Sequence, residues 1–204
     1  MIKYSDIDPR IKGFIFELDN VLYPEKDYLL QVYYLFAQFI EYAEQREAAE
    51  LLAFMKTDFD TEGHEGIFDR TMVHFNLDEK YRVNFDLLMQ NVRLPLKLLL
   101  FDGPMRFLQS IAEAGKQIFL MVSGDPVMQL NKIRQTEWNG LEVHLIVYFT
   151  EEFGEQSTEA NLLPIMDKHG AKVVETLFVG HRSQGILINP SSGINYLEAN
   201  KLLA

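Results

Sequence analysis

Four short apolar runs constrain the fold of this chain more strongly than any other feature of its sequence. Each run lacks the apolar–polar alternation of a half-exposed strand, and each is followed by polar residues or glycine. Such runs are typical of strands that are buried on both faces of a sheet. They occupy residues 13–18, 118–122, 145–149 and 176–180.

Helical segments separate the later runs. Residues 107–114 carry apolar side chains at helical spacing after a Gly-Pro pair, and residues 126–135 follow Asp125, a natural N-cap, with proline in first position. Residues 160–168 form a third segment, in which Pro164 predicts a late start or a kink. This alternation predicts an α/β fold with a Rossmann-like parallel sheet covered by helices on both faces.

The region from about residue 26 to residue 92 breaks this alternation and has an all-helical pattern. Residues 48–55 and 85–92 are further helix candidates in it, after a first helix with one apolar stripe. That stripe consists of Leu29, Tyr33, Phe36, Ile40 and Ala43. We therefore predict an α/β core formed by residues 1–22 and 99–204, with an all-helical cap domain at residues 23–98.

Composition excludes several classes of function. The net charge of -11 opposes binding to phosphate backbones, so we expect no nucleic-acid partner. The absence of cysteine excludes disulfides, thiolate metal sites and cysteine nucleophiles. We see neither a signal-peptide pattern nor an apolar segment long enough for a bilayer, and therefore expect a cytoplasmic protein with no membrane partner.

The residues that follow the strands are the candidates for function, because ligands of open parallel sheets bind beyond the strands' carboxyl ends. Residues 17–23 match the pattern Asp-x-Asp-x-Thr or Val followed by Leu-Tyr, except at their first position. Residues 123–126, Ser-Gly-Asp-Pro, follow the second run, and Gly180-His181 ends the fourth. In order and spacing these segments resemble the haloacid dehalogenase-like (HAD) hydrolase superfamily, in its branch with a helical cap inserted after the first motif.

This resemblance implies phosphoryl transfer through a covalent aspartyl phosphate, with Mg²⁺ as cofactor and a lysine beside the phosphate. It makes Glu17 and Asp19 the catalytic positions, as nucleophile and as general acid and base respectively. It makes Ser123 and Gly124 substrate-binding positions. His64 lies between two glycines in the cap, and cap loops of this family help to select the substrate.

Three charged positions depart from the family pattern. Glu17 replaces the nucleophilic aspartate, and its extra methylene displaces the carboxylate by roughly 1 Å, which can cost on the order of 10²-fold in rate. The lysine expected shortly after Gly154 is absent, because residues 155–158 are Glu-Gln-Ser-Thr. His181 stands where the family has an acid directly after Gly180.

We therefore expect a HAD-like protein that is catalytically impaired or inactive and keeps a ligand pocket between core and cap. The alternative is an active metal-dependent phosphohydrolase that acts on a small phosphorylated metabolite. A third hypothesis is a transition-metal site formed by Glu17, Asp19 and His181, because carboxylates with an imidazole suit such a metal better than Mg²⁺. The ligand, a small molecule or a protein, stays unidentified, and structural roles stay open for each of these residues.

Overall fold

The computed structural model describes residues 2–154, 158–181 and 193–203. The strands are β1 (Gly13–Phe16), β2 (Leu98–Leu99), β3 (Gln117–Val122), β4 (Thr136–Glu137), β5 (Leu145–Phe149), β6 (Thr176–Gly180) and β7 (Asn195–Glu198). The α-helices are α1 (Glu25–Glu44), α2 (Ala48–Glu62), α3 (Ile67–Phe75), α4 (Arg82–Asn91), α5 (Asp102–Glu113), α6 (Pro126–Gln135), α7 (Thr158–Lys168) and α8 (Asn200–Leu203). Short 3-10 helices lie at Tyr4–Asp6, Glu79–Tyr81, Leu141–His144, Thr150–Phe153 and Val173–Glu175.

Five of the strands form one parallel sheet in the order β5–β3–β1–β6–β7. The central strand is β1, in which Phe16 is in register with Leu120 of β3 and Val179 of β6. Every residue of β1 and β6 is buried, as is all of β3 except Gln117. This double burial explains why the runs show no polar alternation, and the predicted parallel α/β fold is confirmed.

Several boundaries differ from the sequence predictions. Strand β1 ends at Phe16 rather than residue 18, because the Leu18 carbonyl already accepts turn hydrogen bonds from the amides of Val21 and Leu22. Helix α5 begins at Asp102, before the predicted start at residue 107. Helix α7 begins at Thr158 and continues through Pro164, so it does not begin late.

Both faces of the sheet are covered by apolar layers. On one face, Ile15 and Phe119 belong to a buried cluster that includes Leu162 and Ile165 of α7. On the other face, the ring centroid of Phe107 in α5 lies 6.0 Å from that of Phe14 and 6.2 Å from that of Phe16. The start of α5 also approaches α8 closely, since a Cβ on Gly103 would lie 1.8 Å from the Leu202 carbonyl oxygen. Glycine is therefore required at that position.

The chain divides into two compact units. The core unit contains the five-stranded sheet and comprises Met1–Pro24, Leu99–Gln129 and Thr136–Ala204. The helical unit comprises Glu25–Leu98 together with Leu130–Gln135. Part of α6 therefore packs with the helices rather than with the sheet, which the sequence pattern did not indicate.

The helical unit is built around the apolar face of α1. Tyr33, Phe36 and Ile40 are buried as predicted, and the ring of Phe36 lies 5.1 Å from that of Phe85 in α4. The predicted stripe is too long by one residue, because Ala43 is exposed. Helix α3 was not predicted from the sequence. Among the described residues, no helix is both long enough and apolar enough to cross a bilayer.

Candidate active site

The polar residues predicted for the site follow β1, β3 and β6, which lie side by side in the sheet. Glu17 directly follows β1 and is only 8% exposed. Its Oε2 accepts a hydrogen bond of 2.9 Å from the backbone amide of His181, which follows β6. A Cβ at Gly180 would lie 2.9 Å from the same carboxylate oxygen, so the glycine leaves the space in which this side chain lies.

Burial raises the pKa of Glu17 to about 7, from an ordinary value of 4.5. The amide of His181 opposes this shift, whereas the nearby carboxylates of Glu198 and Asp19 add to it. Loss of solvation disfavours the charged form of a carboxyl group, and like charges disfavour it further. Near neutral pH, the protonated form of Glu17 is therefore well populated, and this form is a poor nucleophile.

Asp19 is held in the tight loop that follows β1. Its Oδ1 accepts a hydrogen bond from the hydroxyl of Tyr23, and its Oδ2 accepts one of 2.9 Å from the side-chain amide of Gln129. The same Gln129 amide nitrogen donates to the backbone carbonyl of Ser123 at 2.8 Å. Asn20, the residue after Asp19 in this loop, has a left-handed backbone with φ of 61°, which asparagine tolerates. Gln129 thus joins the loops after β1 and β3.

Gln129 is a site residue whose role the sequence analysis missed. It lies three residues after the Ser-Gly-Asp-Pro segment, and nothing in the sequence shows which way its side chain points. It is buried, and both hydrogen bonds of its amide nitrogen go to groups at the carboxyl end of the sheet. The predicted role of Asp125 as the N-cap of α6 is confirmed, because its carboxylate accepts hydrogen bonds from the amides of Val127 and Met128 at the start of the helix.

Ser123 and Gly124 lie at a cavity of about 370 Å³ beyond the ends of β3 and β5, which Ser123 lines. The backbone amide of Gly124 donates to Oε1 of Glu151 at 2.7 Å, and Glu151 also lines the cavity. Glu151 was not predicted as a site residue, although it lies two residues after the end of β5. This cavity therefore has an acidic wall that was not predicted.

A metal site was predicted at Glu17, Asp19 and His181. Among the residues that the structure describes, no group of three His, Asp or Glu side chains is arranged to hold a metal ion. Mg²⁺ binds ionised carboxylates best, whereas burial and the neighbouring acids favour the neutral form of Glu17. These side chains do not fit Mg²⁺ as they are arranged, and the transition-metal hypothesis stays a prediction.

His64 belongs to the helical unit, in the loop between α2 and α3. Its Nδ1 lies 2.7 Å from the hydroxyl of Tyr33, and the two rings are stacked. Burial lowers the pKa of His64, and the positive charges of Lys132 and Arg70 lower it further. The histidine is therefore neutral at pH 7, and its predicted role in substrate binding stays a prediction.

Lys132 is a buried cation in the helical unit that the sequence analysis did not identify. Its side chain has no exposed surface, and its ammonium nitrogen lies 3.5 Å from the carboxylate of Glu25 and 5.1 Å from the ring centroid of Tyr28. Because buried lysines are rare unless they are paired, this ion pair belongs to the internal structure of the helical unit.

No family model matches the sequence, and no curated protein matches it. Among solved structures, the HAD-hydrolase YfnB of Bacillus subtilis, described as bound to magnesium, is 13% identical with a TM-score of 0.63, over 92% of this chain and 86% of that one. A HAD hydrolase of family IA, variant 3, from Entamoeba histolytica is 12% identical with a TM-score of 0.57, over 92% of this chain and 83% of that one. A hydrolase from Streptococcus pneumoniae is 15% identical with a TM-score of 0.53, over 92% of each chain. This chain therefore has the fold of the HAD-like hydrolases.

Proposed function

We propose that this protein is a HAD-fold protein that has lost efficient phosphoryl transfer and binds a small ligand at the carboxyl end of its sheet. The observation that carries the proposal is the environment of Glu17, at the position where the fold's nucleophile stands. Changes at the phosphate-binding side of the site support it independently.

Glu17 is poorly suited to attack a phosphorus atom. Its carboxyl oxygen accepts a hydrogen bond from the His181 amide, and its pKa of about 7 leaves a large neutral fraction at physiological pH. The acids that act on it, Glu198 and Asp19, favour that neutral form. A nucleophile needs the opposite conditions, namely a negative charge stabilised by a nearby cation and an oxygen directed at the substrate.

The side of the site beyond β3 is also unsuited to a phosphate dianion. Glu151 is the only charged residue among the described residues that line the cavity there. The residues between Gly154 and Thr158 are Glu, Gln and Ser, so they add no positive charge. A carboxylate close to a phosphate raises its energy, because like charges repel most strongly where little water lies between them.

Side-chain hydrogen bonds nevertheless connect the loops at this end of the sheet, although the buried Oε1 of Gln129 has no partner among the described residues. Gln129 connects Asp19 to the Ser123 carbonyl, and Glu151 anchors the Gly124 amide. Such side-chain hydrogen bonds hold loops in one arrangement, which lowers the cost of binding a ligand. The arrangement therefore favours a site that still binds a ligand over a site that has no remaining function.

The test is hydrolysis of p-nitrophenyl phosphate and of a panel of small phosphorylated metabolites, with Mg²⁺, Mn²⁺, Co²⁺ or Zn²⁺. We expect the wild type to be indistinguishable from the Glu17→Ala and Asp19→Asn variants, which act as controls for contaminating phosphatases. Robust turnover that disappears in both variants would contradict the proposal.

One observation favours a second candidate, an active phosphohydrolase. A carboxyl group with a pKa near 7 is well matched to general acid–base catalysis at neutral pH. In that case Glu17 would exchange protons rather than attack phosphorus, and turnover with one of the metabolites would follow its titration. Loss of that turnover in Glu17→Gln, which is isosteric but cannot ionise, would then favour the second candidate.

A further inference from the structure

The cavity beyond β3 and β5 has a polar lining with one charged side chain among the described residues. It has a volume of about 370 Å³ and is lined by residues from the end of β3, the segment after β5 and the start of α7. Its polar lining consists of three hydroxyl groups, one carboxylate and one amide. These belong to Ser123, Thr150, Thr158, Glu151 and Asn161.

Asn161 is the residue that points to a ligand. It is only 4% exposed, and its Oδ1 is buried without a hydrogen-bond partner among the residues that the structure describes. A buried amide oxygen without a partner costs free energy, which a native protein seldom tolerates without a reason. Because Asn161 lines the cavity, a hydrogen-bond donor on a ligand held there would give this oxygen its missing partner.

The charge of the residues that line the cavity indicates the charge of the ligand that it binds. Glu151 is fixed at the wall by the amide of Gly124 at 2.7 Å, and the hydroxyl of Thr150 donates to its other oxygen at 3.3 Å. No cation lies among the described residues of the lining, and the whole chain carries a net charge of -11. The one charged side chain of the described lining is therefore negative, which favours a cation over an anion as the ligand.

We propose, building on the proposed function, that this cavity binds the primary ammonium group of a small molecule. An ammonium group carries three hydrogen-bond donors, no acceptor and one positive charge. The cavity offers matching acceptors in the carboxylate of Glu151, the Asn161 side-chain oxygen and the Ser123 hydroxyl.

The experiment is a titration of the isotopically labelled 204-residue chain with ethylammonium, followed by the backbone amide resonances of Gly124 and Gly154. Acetate serves as an anion of similar size, and inorganic phosphate as the ligand expected of a phosphoryl-transfer site. We expect ethylammonium to shift these resonances in a saturable way, with millimolar affinity or weaker for so small a probe, while acetate and phosphate leave them unchanged.

Two isosteric variants locate the charge. Glu151→Gln should weaken ethylammonium binding about tenfold, the size of a hydrogen bond to a charged group. Glu152→Gln removes the same charge one residue further along, from a residue that does not line the cavity, and should change the affinity less than about twofold. Asn161→Leu, similar in size but without the amide, should also weaken binding, and its spectrum shows whether the fold is intact.

Three results would overturn the inference: stronger shifts with acetate or phosphate than with ethylammonium, equal effects of the two glutamine variants, or no saturable shift with ethylammonium up to about 100 mM. Phosphatase turnover measured on the same samples tests the proposed function separately. A protein without turnover that ignores ethylammonium contradicts only the inference, whereas turnover dependent on Asp19 contradicts the proposed function.

Discussion

The core unit and the helical unit treat their buried charged groups in opposite ways. In the helical unit, the buried Lys132 and the half-buried Arg70 are matched by acids, since Lys132 lies beside Glu25 and Arg70 forms an ion pair of 2.7 Å with Asp58. At the end of the core sheet, the charges that act on the buried Glu17 come from other acids, and a backbone amide is its hydrogen-bond donor. Matched charges are typical of structural interiors, whereas an acid kept partly neutral by its surroundings is typical of functional sites.

The largest expected effect comes from Glu17→Gln, which keeps the shape of the side chain and removes its titration. The pKa of Glu17 is about 7 in the folded protein against 4.5 ordinarily, so on raising the pH the unfolded chain loses its proton first. The wild type therefore loses stability as the pH rises from 4.5 to about 7, by up to about 3 kcal/mol in total.

Urea unfolding at about pH 5 and about pH 8 measures this effect. Relative to the wild type, the free energy of unfolding of Glu17→Gln should be higher at about pH 8 than at about pH 5, by most of that amount. Glu142→Gln, at an exposed position of the core unit, removes the same charge and should show no such gain. If the two variants had the same stability at both pH values, the surroundings of Glu17 in the core unit would not raise its pKa, and the contrast between the two units would be wrong.

The next effect tests the helical side of the comparison. Lys132 is fully buried, whereas the side chain of Glu25 keeps about a third of its exposure. Glu25→Gln takes the carboxylate away from a buried ammonium and should cost about 2 kcal/mol, a value reduced for that partial exposure. Lys132→Met leaves a carboxylate that water can reach and should cost less. The urea midpoints of the two variants decide the order, and the reverse order would mean that the pair does not explain the burial of Lys132.

A third prediction concerns the space around Glu17. An added Cβ in Gly180→Ala would meet the Glu17 carboxylate at 2.9 Å and the ring of Phe178 at 3.0 Å, so the variant should lose about 1.5 kcal/mol through overpacking. Glu17→Asp shortens the side chain and should recover part of that loss in the double variant. Thermal unfolding of all four proteins gives the coupling. Strictly additive losses would show that Glu17 does not occupy the space that Gly180 leaves.

The sequence was sufficient for the architecture because the sheet depends on patterns that are local in the chain. Strands such as β1 and β6, buried on both faces, read as continuous apolar runs. The edge strand β7 lacks that signal, since it is only partly buried and carries Asn195 and Glu198. Helix α3 is short and mixes Asp, Arg and His with its apolar residues, so its periodicity does not stand out.

The sequence predicted which residues lie at the site, but not the contacts that their side chains make. The rule that ligands bind beyond the ends of parallel strands identified Glu17, Asp19, Ser123 and His181, because it needs only the strand assignments. The contacts of Gln129 and the burial of Lys132 depend on side-chain directions and on packing between segments far apart in the chain. No local pattern in α6 distinguishes a buried lysine from an exposed one.

The smallest expected effect concerns Tyr33, whose hydroxyl lies 2.7 Å from Nδ1 of His64. Removing that hydroxyl in Tyr33→Phe leaves the imidazole nitrogen without this partner in a largely buried place, which should cost about 1 kcal/mol. Tyr34→Phe, at an exposed position on the same helix, is the matched control and should cost nearly nothing. If the pair is structural, as the other buried polar groups of the helical unit are, His64→Gln should lower the unfolding midpoint by a similar amount and leave the ethylammonium titration of the core cavity unchanged. If His64→Gln instead weakened ethylammonium binding while the protein stayed folded, the substrate-binding role that the sequence predicts for this histidine would be favoured. The contrast between a structural helical unit and a functional strand end would then no longer hold.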